Sequence, residues 1–279
     1  MKAWMGDGCT GRLVSADEAV VSVMDHGFTV GDGVFETLKV TARGPFALTR
    51  HLRRLQASAA IVGLAAPDLE HIREATMQVV AANRAELGSL ARLRITWTSG
   101  AAPLGSDRVD ADPTLVISTM VQQPWPSTTT AITIPGVRNP ASLLAGAKST
   151  SYAENVVALM RAHEAGASEA ILGTTHGLVC EGTGTNVFVH ASGRMVTPSL
   201  ATGCLNGITR QLVMEWFDAG EDDITFDELA QAEFAFVTSS TRDVHPLARI
   251  DERVWHSVPS SLDDLVRDFS SRAASDIDP

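Results

Sequence analysis

The alternation of polar and apolar side chains is clearest at residues 91–98. Successive side chains of a strand point to opposite faces, so this period of two predicts a half-buried strand. Apolar residues at helical spacing predict one helix over 50–59, with Thr49 as its N-cap, and a second helix over 69–83. The polar face of the predicted strand is formed by Arg92, Arg94, Thr96 and Thr98.

In the second half of the chain the pattern predicts a helix followed by two strands. Gly166 is placed to end the helix, because glycine is common just after a helix C-terminus. The apolar run 169–172 predicts a strand, residues 175–177 a turn, and the next strand leads to Glu181. The predicted buried face of the helix is formed by Val156, Leu159, Met160 and His163.

We expect two domains joined by a short linker. Pro124 and Pro126 lie close together, and proline cannot donate to the hydrogen bonds of a central strand. The segment 260–279 is predicted to form a polar helix and a frayed acidic tail. The predicted division is a small N-terminal α/β domain at 1–121, a linker at 122–127, and a larger C-terminal α/β domain at 128–279 that includes Lys148.

Composition and charge narrow the class of protein. The 279 residues are 44% hydrophobic, as in an ordinary globular protein, and no apolar run approaches the roughly 20 residues of a membrane helix. A net charge of -11 argues against nucleic acid or an anionic membrane as partner. The N-terminus has no signal-peptide core, so we expect a cytosolic protein. The cysteines, Cys9, Cys180 and Cys204, have neither metal-ligand spacing nor the spacing of a disulfide framework, and Cys180 and Cys204 are expected to be small buried residues.

Lys148 and Glu181 are the candidate chemical groups. A lysine in a partly dry pocket loses its proton readily and can form a Schiff base with a carbonyl cofactor. Pyridoxal phosphate also needs an anion at its ring nitrogen, and a nearby glutamate can supply it. Taken alone this pair is weak support, because most lysines and glutamates are solvated surface residues.

Three motifs, at residues 148–155, 181–188 and 203–210, strengthen the interpretation of Lys148 and Glu181 as catalytic groups. These motifs resemble the signature of class IV, or fold type IV, pyridoxal-phosphate enzymes. This family includes D-amino-acid and branched-chain aminotransferases, (R)-amine transaminases and aminodeoxychorismate lyase. The resemblance covers nearly the whole chain. It implies an α/β (α+β) fold of two domains with pyridoxal 5'-phosphate at the domain interface, and a homodimer whose subunits complete each other's pockets.

A phosphate site is expected where Gly207 precedes an amphipathic helix at 211–217. The first amides of a helix have no intrahelical partner, so the amides of Ile208 and Thr209 and the Thr209 hydroxyl are candidates for the cofactor phosphate. The family resemblance implies further contacts. Lys148 would bond to the cofactor, Glu181 would face its ring nitrogen, Leu205 would pack on the ring, and Arg54, Ser240 and Thr241 would bind the phosphate.

Tyr152 is the only tyrosine of the chain and follows Lys148 by one predicted helical turn. Its phenol is a candidate hydrogen-bond partner of the cofactor's ring oxygen, and a merely half-buried tyrosine is an equally good interpretation.

The substrate contacts are less well defined. The resemblance implies that Phe35 faces the substrate, at a position where related aminotransferases often have tyrosine. Arg94 lies where branched-chain enzymes have an arginine, so it is either a carboxylate contact or part of a surface ion pair. Arg242 is an unusual charge after a run of hydroxyl residues and is a candidate to reach the substrate. Arg108 is a weaker candidate for the carboxylate, and Ser99 replaces an arginine typical of D-amino-acid enzymes.

The favoured function is transamination between a D-amino acid or (R)-amine and a 2-keto acid, with branched-chain L-amino acids less favoured. The alternative is 4-amino-4-deoxychorismate lyase, which releases pyruvate and 4-aminobenzoate. The lyase stays an alternative because Phe35 and Ser99 lack the carboxylate-binding groups that related aminotransferases have at these positions. A non-catalytic binding protein of the same fold is the least favoured reading, because Lys148 and Glu181 are both present.

Overall fold

The structure is a computed structural model that describes the whole chain from Met1 to Pro279. The chain forms two compact units. Unit 1 contains Met1–Pro124, Ala147–Tyr152 and Asp276–Pro279, and unit 2 contains Trp125–Gly146 and Ala153–Ser275. The break after Pro124 falls within the segment predicted as the linker. Both units combine helices and strands, in agreement with the predicted fold class.

Unit 1 is an antiparallel sheet with two long helices. Its strands are β1 (Lys2–Gly6), β2 (Gly11–Ser15), β3 (Gly33–Thr41), β4 (Gly44–Pro45), β5 (Leu90–Thr98) and β6 (Thr114–Val121), and its helices are α1 (His26–Thr29), α2 (Leu48–Val62) and α3 (Leu69–Asn83). The strand order is β2-β1-β6-β5-β3-β4. Leu52 and Leu55 of α2 and Ile72 and Val79 of α3 enter one core with the buried side chains of the sheet.

The predicted alternation of β5 is confirmed. Leu93, Ile95 and Trp97 are buried, whereas Arg94 is exposed and Arg92 and Thr96 are partly exposed. Thr98, predicted on the same polar face, is buried instead and donates to Asp25 at 3.1 Å. Strand β5 pairs with β3 in a register that sets Thr37 opposite Arg94. Phe35, two residues before Thr37, therefore lies on the same face of the sheet as Arg94.

The predicted helices over 50–59 and 69–83 are confirmed as α2 and α3, but the predicted cap of α2 is wrong. The N-cap is Ala47, in a left-handed conformation with φ of 54°, and its side chain accepts no hydrogen bond. The Thr49 amide instead donates to Asp278 at 2.8 Å, and the Ala47 amide donates to the Ile277 carbonyl at 2.7 Å. The chain end is thus tied to unit 1 and is not the frayed tail that its polarity predicted.

Unit 2 is a mixed sheet with four helices. Its strands are β7 (Thr129–Arg138), β8 (Glu169–Thr174), β9 (Val179–Gly182), β10 (Asn186–Ala191), β11 (Arg194–Pro198), β12 (Ala219–Asp222), β13 (Phe234–Ser239), β14 (Asp243–Ile250) and β15 (Arg253–Val254). Its helices are α4 (Ala153–Glu164), α5 (Ile208–Trp216), α6 (Phe226–Gln231) and α7 (Ser260–Ser275). The strand order is β12-β11-β10-β13-β14-β7-β8-β9, and β15 pairs with β14.

Helix α4 buries a different face from the one predicted. Its buried residues are Asn155, Ala158 and Ala162, and Asn155 donates to the Thr183 carbonyl. Val156 and Met160 are 61% and 50% exposed, so the apolar residues of the predicted face are largely on the surface. Small side chains allow the helix to approach β8 closely, and this selects the buried face more strongly than hydrophobicity does.

The segment that contains Lys148 belongs to unit 1. The amide of Phe35 donates to the Lys148 carbonyl at 2.9 Å, and the Thr150 amide donates to the Gly33 carbonyl at 2.8 Å. Residues 147–152 therefore lie beside β3 as an extended segment. This assignment of Lys148 to unit 1 differs from the predicted division, which includes Lys148 in the C-terminal domain.

Candidate active site

In unit 1, two cations meet at the ring of Phe35, which is 4% exposed. The Arg94 guanidinium carbon lies 3.7 Å from the ring centroid, and the Lys148 Nζ atom lies 4.4 Å from it. Both distances are within the range of cation–π attraction. The same ring therefore contacts both cations.

Tyr152 completes this group. Its ring packs edge-on against Phe35 at a centroid distance of 5.4 Å, and the Lys148 Nζ atom lies 5.9 Å from its centroid. The predicted proximity of Tyr152 to Lys148 is confirmed, but the predicted helical turn between them is wrong, because α4 begins only at Ala153. The extended segment along β3 brings the two side chains together instead.

Arg54, the predicted phosphate ligand, forms a buried ion pair with Glu36. Its Nε donates to Oε1 at 2.8 Å and its Nη2 to Oε2 at 2.7 Å, and the His51 Nδ1 lies 2.6 Å from Oε2. Burial alone would raise the pKa of Glu36, but the charges and hydrogen bonds of Arg54 and His51 outweigh burial and lower it to about 2. Burial lowers the pKa of His51, and its Nδ1 donates to the Glu36 carboxylate, which can only accept. A bidentate carboxylate fixes the orientation of the Arg54 guanidinium.

Sequence reasoning missed Glu36 and His51. The available signal was a glutamate inside the apolar strand β3, because a buried carboxylate requires a nearby cation.

In unit 2, Glu181 is held by two donors. The Leu205 amide donates to its Oε2 at 2.9 Å, and the Arg138 Nη2 lies 3.3 Å from its Oε1. Both contacts favour the carboxylate anion, which is the form that a protonated ring nitrogen requires. Arg138, the last residue of β7, was not predicted as a partner of Glu181. The only signal in the sequence was a charged residue at the end of a predicted apolar strand.

The start of α5 fits a phosphate group. Its N-cap is Gly207, which has no side chain to accept the first helical amides, and Ile208 and Thr209 are each 2% exposed. Amides at a buried helix start without a side-chain cap are suited to an anion. A Cβ atom at Gly207 would overlap the Asn186 side chain, whose amide donates to the Leu205 carbonyl at 2.8 Å. The glycine is therefore required for space.

Ser240, Thr241 and Arg242 lie in the turn between β13 and β14. The Arg242 guanidinium is engaged within unit 2, where it lies 4.1 Å from the Trp125 ring centroid and 3.7 Å from Glu169. Arg108, the weaker candidate, is also engaged, because it pairs with Asp32 and donates to the Val62 and Gly63 carbonyls.

The cysteines are free thiols, and Cys180 and Cys204 are buried, as the sequence predicted. Burial, aided by the charge of Glu181, raises the pKa of Cys180 to about 12 and that of Cys204 to about 11, so both stay protonated. No group of side chains in the chain has the composition of a metal site. No helix has the length and apolarity needed to cross a membrane.

The comparisons define the class. The family model for amino-transferase class IV matches residues 33–250. A D-alanine aminotransferase of Bacillus licheniformis is 32% identical over 90% of this chain and 91% of its own length. A branched-chain-amino-acid aminotransferase of Pseudomonas aeruginosa is 30% identical over 87% of this chain and 84% of its own. An aminodeoxychorismate lyase of Bacillus subtilis is 30% identical over 87% and 85%.

A solved fold IV transaminase of Curtobacterium pusillum superposes with a TM-score of 0.88 at 30% identity and covers 98% of both chains. The fold is that of the fold type IV enzymes. The chain belongs to the class IV aminotransferases, a class that depends on pyridoxal phosphate, and the predicted family, enzyme class and cofactor are thereby confirmed.

Proposed function

We propose that the protein transfers an amino group between an amino acid and a 2-keto acid. One observation supports this choice of substrate class: the Lys148 amine and the Arg94 guanidinium lie over the same Phe35 ring. An amino acid has its carboxylate one carbon away from the amino group. A guanidinium near the reacting amine can therefore bind that carboxylate while Lys148 acts at the α-carbon.

The residues predicted to act on the cofactor each have a role in this proposal. When bound, pyridoxal phosphate supplies a ring that withdraws electrons from the α-carbon of the donor. Lys148 takes the α-proton on Nζ and later returns it, as general base and acid. Glu181, oriented by Arg138 and the Leu205 amide, would hold a proton at the ring nitrogen. The Tyr152 hydroxyl would donate to the ring oxygen, and Leu205 would pack on the ring. The phosphate would be bound by Arg54, Gly207, Ile208, Thr209, Ser240 and Thr241.

Among donors, we propose D-amino acids first, then (R)-amines, and branched-chain L-amino acids last. Similarity to the D-alanine aminotransferase of Bacillus licheniformis supports D-amino acids. Similarity to the branched-chain-amino-acid aminotransferase of Pseudomonas aeruginosa is the reason to include branched-chain L-amino acids. Arg94 favours donors with a carboxylate over simple amines, because an unpaired guanidinium beside an apolar group is less favourable.

The second candidate is 4-amino-4-deoxychorismate lyase. Phe35 lacks the hydroxyl that could bind a carboxylate, and the Bacillus subtilis lyase is about as similar to this chain as the aminotransferases are. In that reaction Lys148 moves the same protons, but pyruvate is eliminated and no amino group remains on the enzyme.

We further propose that the active protein is a homodimer. Unit 1 exposes a run of apolar side chains between residues 20 and 30, of which Phe28 is 72% exposed and Val20 and Val23 are each 75% exposed. An exposed apolar patch of this kind is typical of a surface that another chain covers.

The test is the visible absorption spectrum of the purified protein before and after addition of D-alanine without a keto acid. We expect a yellow cofactor band that fades as the amino group is taken up. The Lys148→Ala variant controls for nonspecific colour and should neither show the same band nor respond in this way. A band that persists with every amino acid, together with pyruvate release from aminodeoxychorismate, would favour the lyase. A colourless protein that takes up no added pyridoxal phosphate would refute the proposal.

A further inference from the structure

Glu169 is a buried carboxylate that organises the loop after Glu181. It is 1% exposed and accepts hydrogen bonds from the Thr183 amide at 3.0 Å, from the Thr183 hydroxyl, and from the Thr185 hydroxyl at 3.2 Å. The loop 183–185 connects β9 to β10 and therefore joins Glu181 to Asn186, the residue that packs against Gly207. An ordered loop at this point fixes two of the elements that the proposed cofactor site uses.

Arg242 supplies a cation to this carboxylate. Its Nη2 lies 3.7 Å from Glu169 Oε2, and its Nη1 donates to the Thr129 hydroxyl at 3.3 Å. The guanidinium also lies over the Trp125 ring at 4.1 Å, and the side chain is 9% exposed. Stacking on an aromatic ring while pairing with a carboxylate is a combination that arginine makes and lysine does not reproduce well.

Arg242 directly follows Ser240 and Thr241 in the turn between β13 and β14. Through Glu169, it links that turn to the loop 183–185. The turn contains Ser240 and Thr241, and the loop follows Glu181, all of which the proposed function assigns to cofactor binding. This inference therefore rests on the proposed function. The ion pair is buried, so a substrate carboxylate would have to compete with Glu169 for the guanidinium.

We propose that Arg242 is a positioning residue for the cofactor site and not a substrate contact. The Trp125–Arg242–Glu169 group holds the turn 240–242 and the loop 183–185 in the form that receives the cofactor. Without the guanidinium, Glu169 is a buried charge with weaker compensation, and both segments become less ordered.

Four variants separate this role from its alternatives. Arg242→Met removes the cation and keeps much of the side-chain volume, and Arg242→Lys keeps only the charge. The double variant Glu169→Gln with Arg242→Met removes both charges, so it avoids an isolated buried carboxylate. Arg253→Met is the matched control, because Arg253 also lies over a tryptophan, Trp255 at 5.4 Å, and donates to the Ala232 carbonyl.

Three quantities are measured for each variant: the Kd of pyridoxal phosphate for the apoprotein by fluorescence titration, the Tm of the apoprotein, and the KM of the amino donor at saturating cofactor. For Arg242→Met we expect the Kd of pyridoxal phosphate to rise about tenfold or more, which is typical when a residue that orients the direct ligand contacts is lost. The KM of the amino donor should change much less. Arg242→Lys should recover part of the affinity. The double variant should bind the cofactor more tightly than Arg242→Met alone, because it leaves no buried carboxylate without its cation.

Two results would overturn the proposal. An increase in KM with an unchanged Kd for the cofactor would make Arg242 a substrate contact. Equal Kd values for Arg242→Met, Arg253→Met and the unaltered protein would leave Arg242 without a role in the cofactor site. If Arg242→Met does not fold, the double and lysine variants decide the question by the same Kd measurement. Failure of the proposed transamination is seen separately, since the unaltered protein would then bind the cofactor without accepting an amino group.

Discussion

Phe35 brings together the residues on which the proposed chemistry depends. The position lies on β3 beside the Lys148 segment, and pairing with β5 sets Arg94 on the same face. A tyrosine here could bind a carboxylate by its hydroxyl, whereas phenylalanine offers only the face of its ring. That face attracts cations, so the task of binding a carboxylate falls to Arg94.

Replacing Arg94 tests this assignment. In Arg94→Met we expect the KM of D-amino acids to rise about tenfold to a hundredfold, because a charge-assisted hydrogen bond contributes roughly 1.5–3 kcal/mol. The KM of an (R)-amine without a carboxylate should change little. Steady-state kinetics with paired donors of similar size measures both effects.

Arg92→Met is the control for this change, because Arg92 precedes Arg94 by two residues on the same strand and donates to Gln122 at 2.7 Å. It should leave both KM values close to those of the unaltered protein. If the KM values of amino acids and of amines rise equally in Arg94→Met, the arginine stabilises the sheet and does not bind the substrate carboxylate.

At the scale of elements, the start of α5 depends on the absence of a side chain at Gly207. Its φ is -63°, a value that any residue adopts, so only space restricts the position. An added methyl group would meet Asn186, which is 5% exposed and hydrogen-bonded to the Leu205 carbonyl. Overpacking at such a position costs about 1–3 kcal/mol.

We therefore expect Gly207→Ala to lower both the Tm and the affinity for pyridoxal phosphate, the latter by roughly tenfold, because about 1.4 kcal/mol corresponds to that factor. Thermal unfolding and titration of the apoprotein with the cofactor provide the two measurements. Gly220→Ala in β12 is the control, since a Cβ atom there has open space. A Gly207→Ala protein with unaltered cofactor affinity would remove the start of α5 from the phosphate site.

The sequence predicted elements better than it predicted their partners. Strand β5 and helix α3 follow from periodicity alone, because burial of one face imposes that pattern. The cap of α2 could not be predicted, since Thr49 binds Asp278, which is 229 residues away. The buried face of α4 was wrong because hydrophobicity does not reveal where small side chains allow close packing.

The same limit applies to the candidate site. Lys148, Glu181 and the start of α5 were recognisable from motifs, because each needs a particular residue type at a particular point of the chain. Glu36 and Arg138 were missed because their roles depend on contacts with residues that are far away in sequence. Arg242 was noticed as an unusual charge, but its contact with Glu169 could not be inferred from local pattern.

At the scale of the whole molecule, the distribution of exposed apolar side chains bears on assembly. Unit 1 exposes Val20, Val23 and Phe28 within nine residues, and unit 2 exposes Val156 and Met160 on α4. The side chains of the first group are exposed to a greater fraction than those on α4. The first group also includes an aromatic side chain, a type enriched at protein interfaces. We therefore assign the proposed dimer contact to residues 20–30.

The last prediction follows from this assignment. Changing Val23 and Phe28 together to serine should convert the dimer to a monomer, because it removes two large exposed apolar side chains from the contact. Sedimentation at several protein concentrations measures the mass, and far-ultraviolet circular dichroism verifies that the fold is kept. Val254→Ser, at an exposed position of β15, is the control and should remain dimeric. A dimer that survives in the double variant would move the contact to the exposed face of α4, and an unaltered protein of monomer mass would refute the dimer itself.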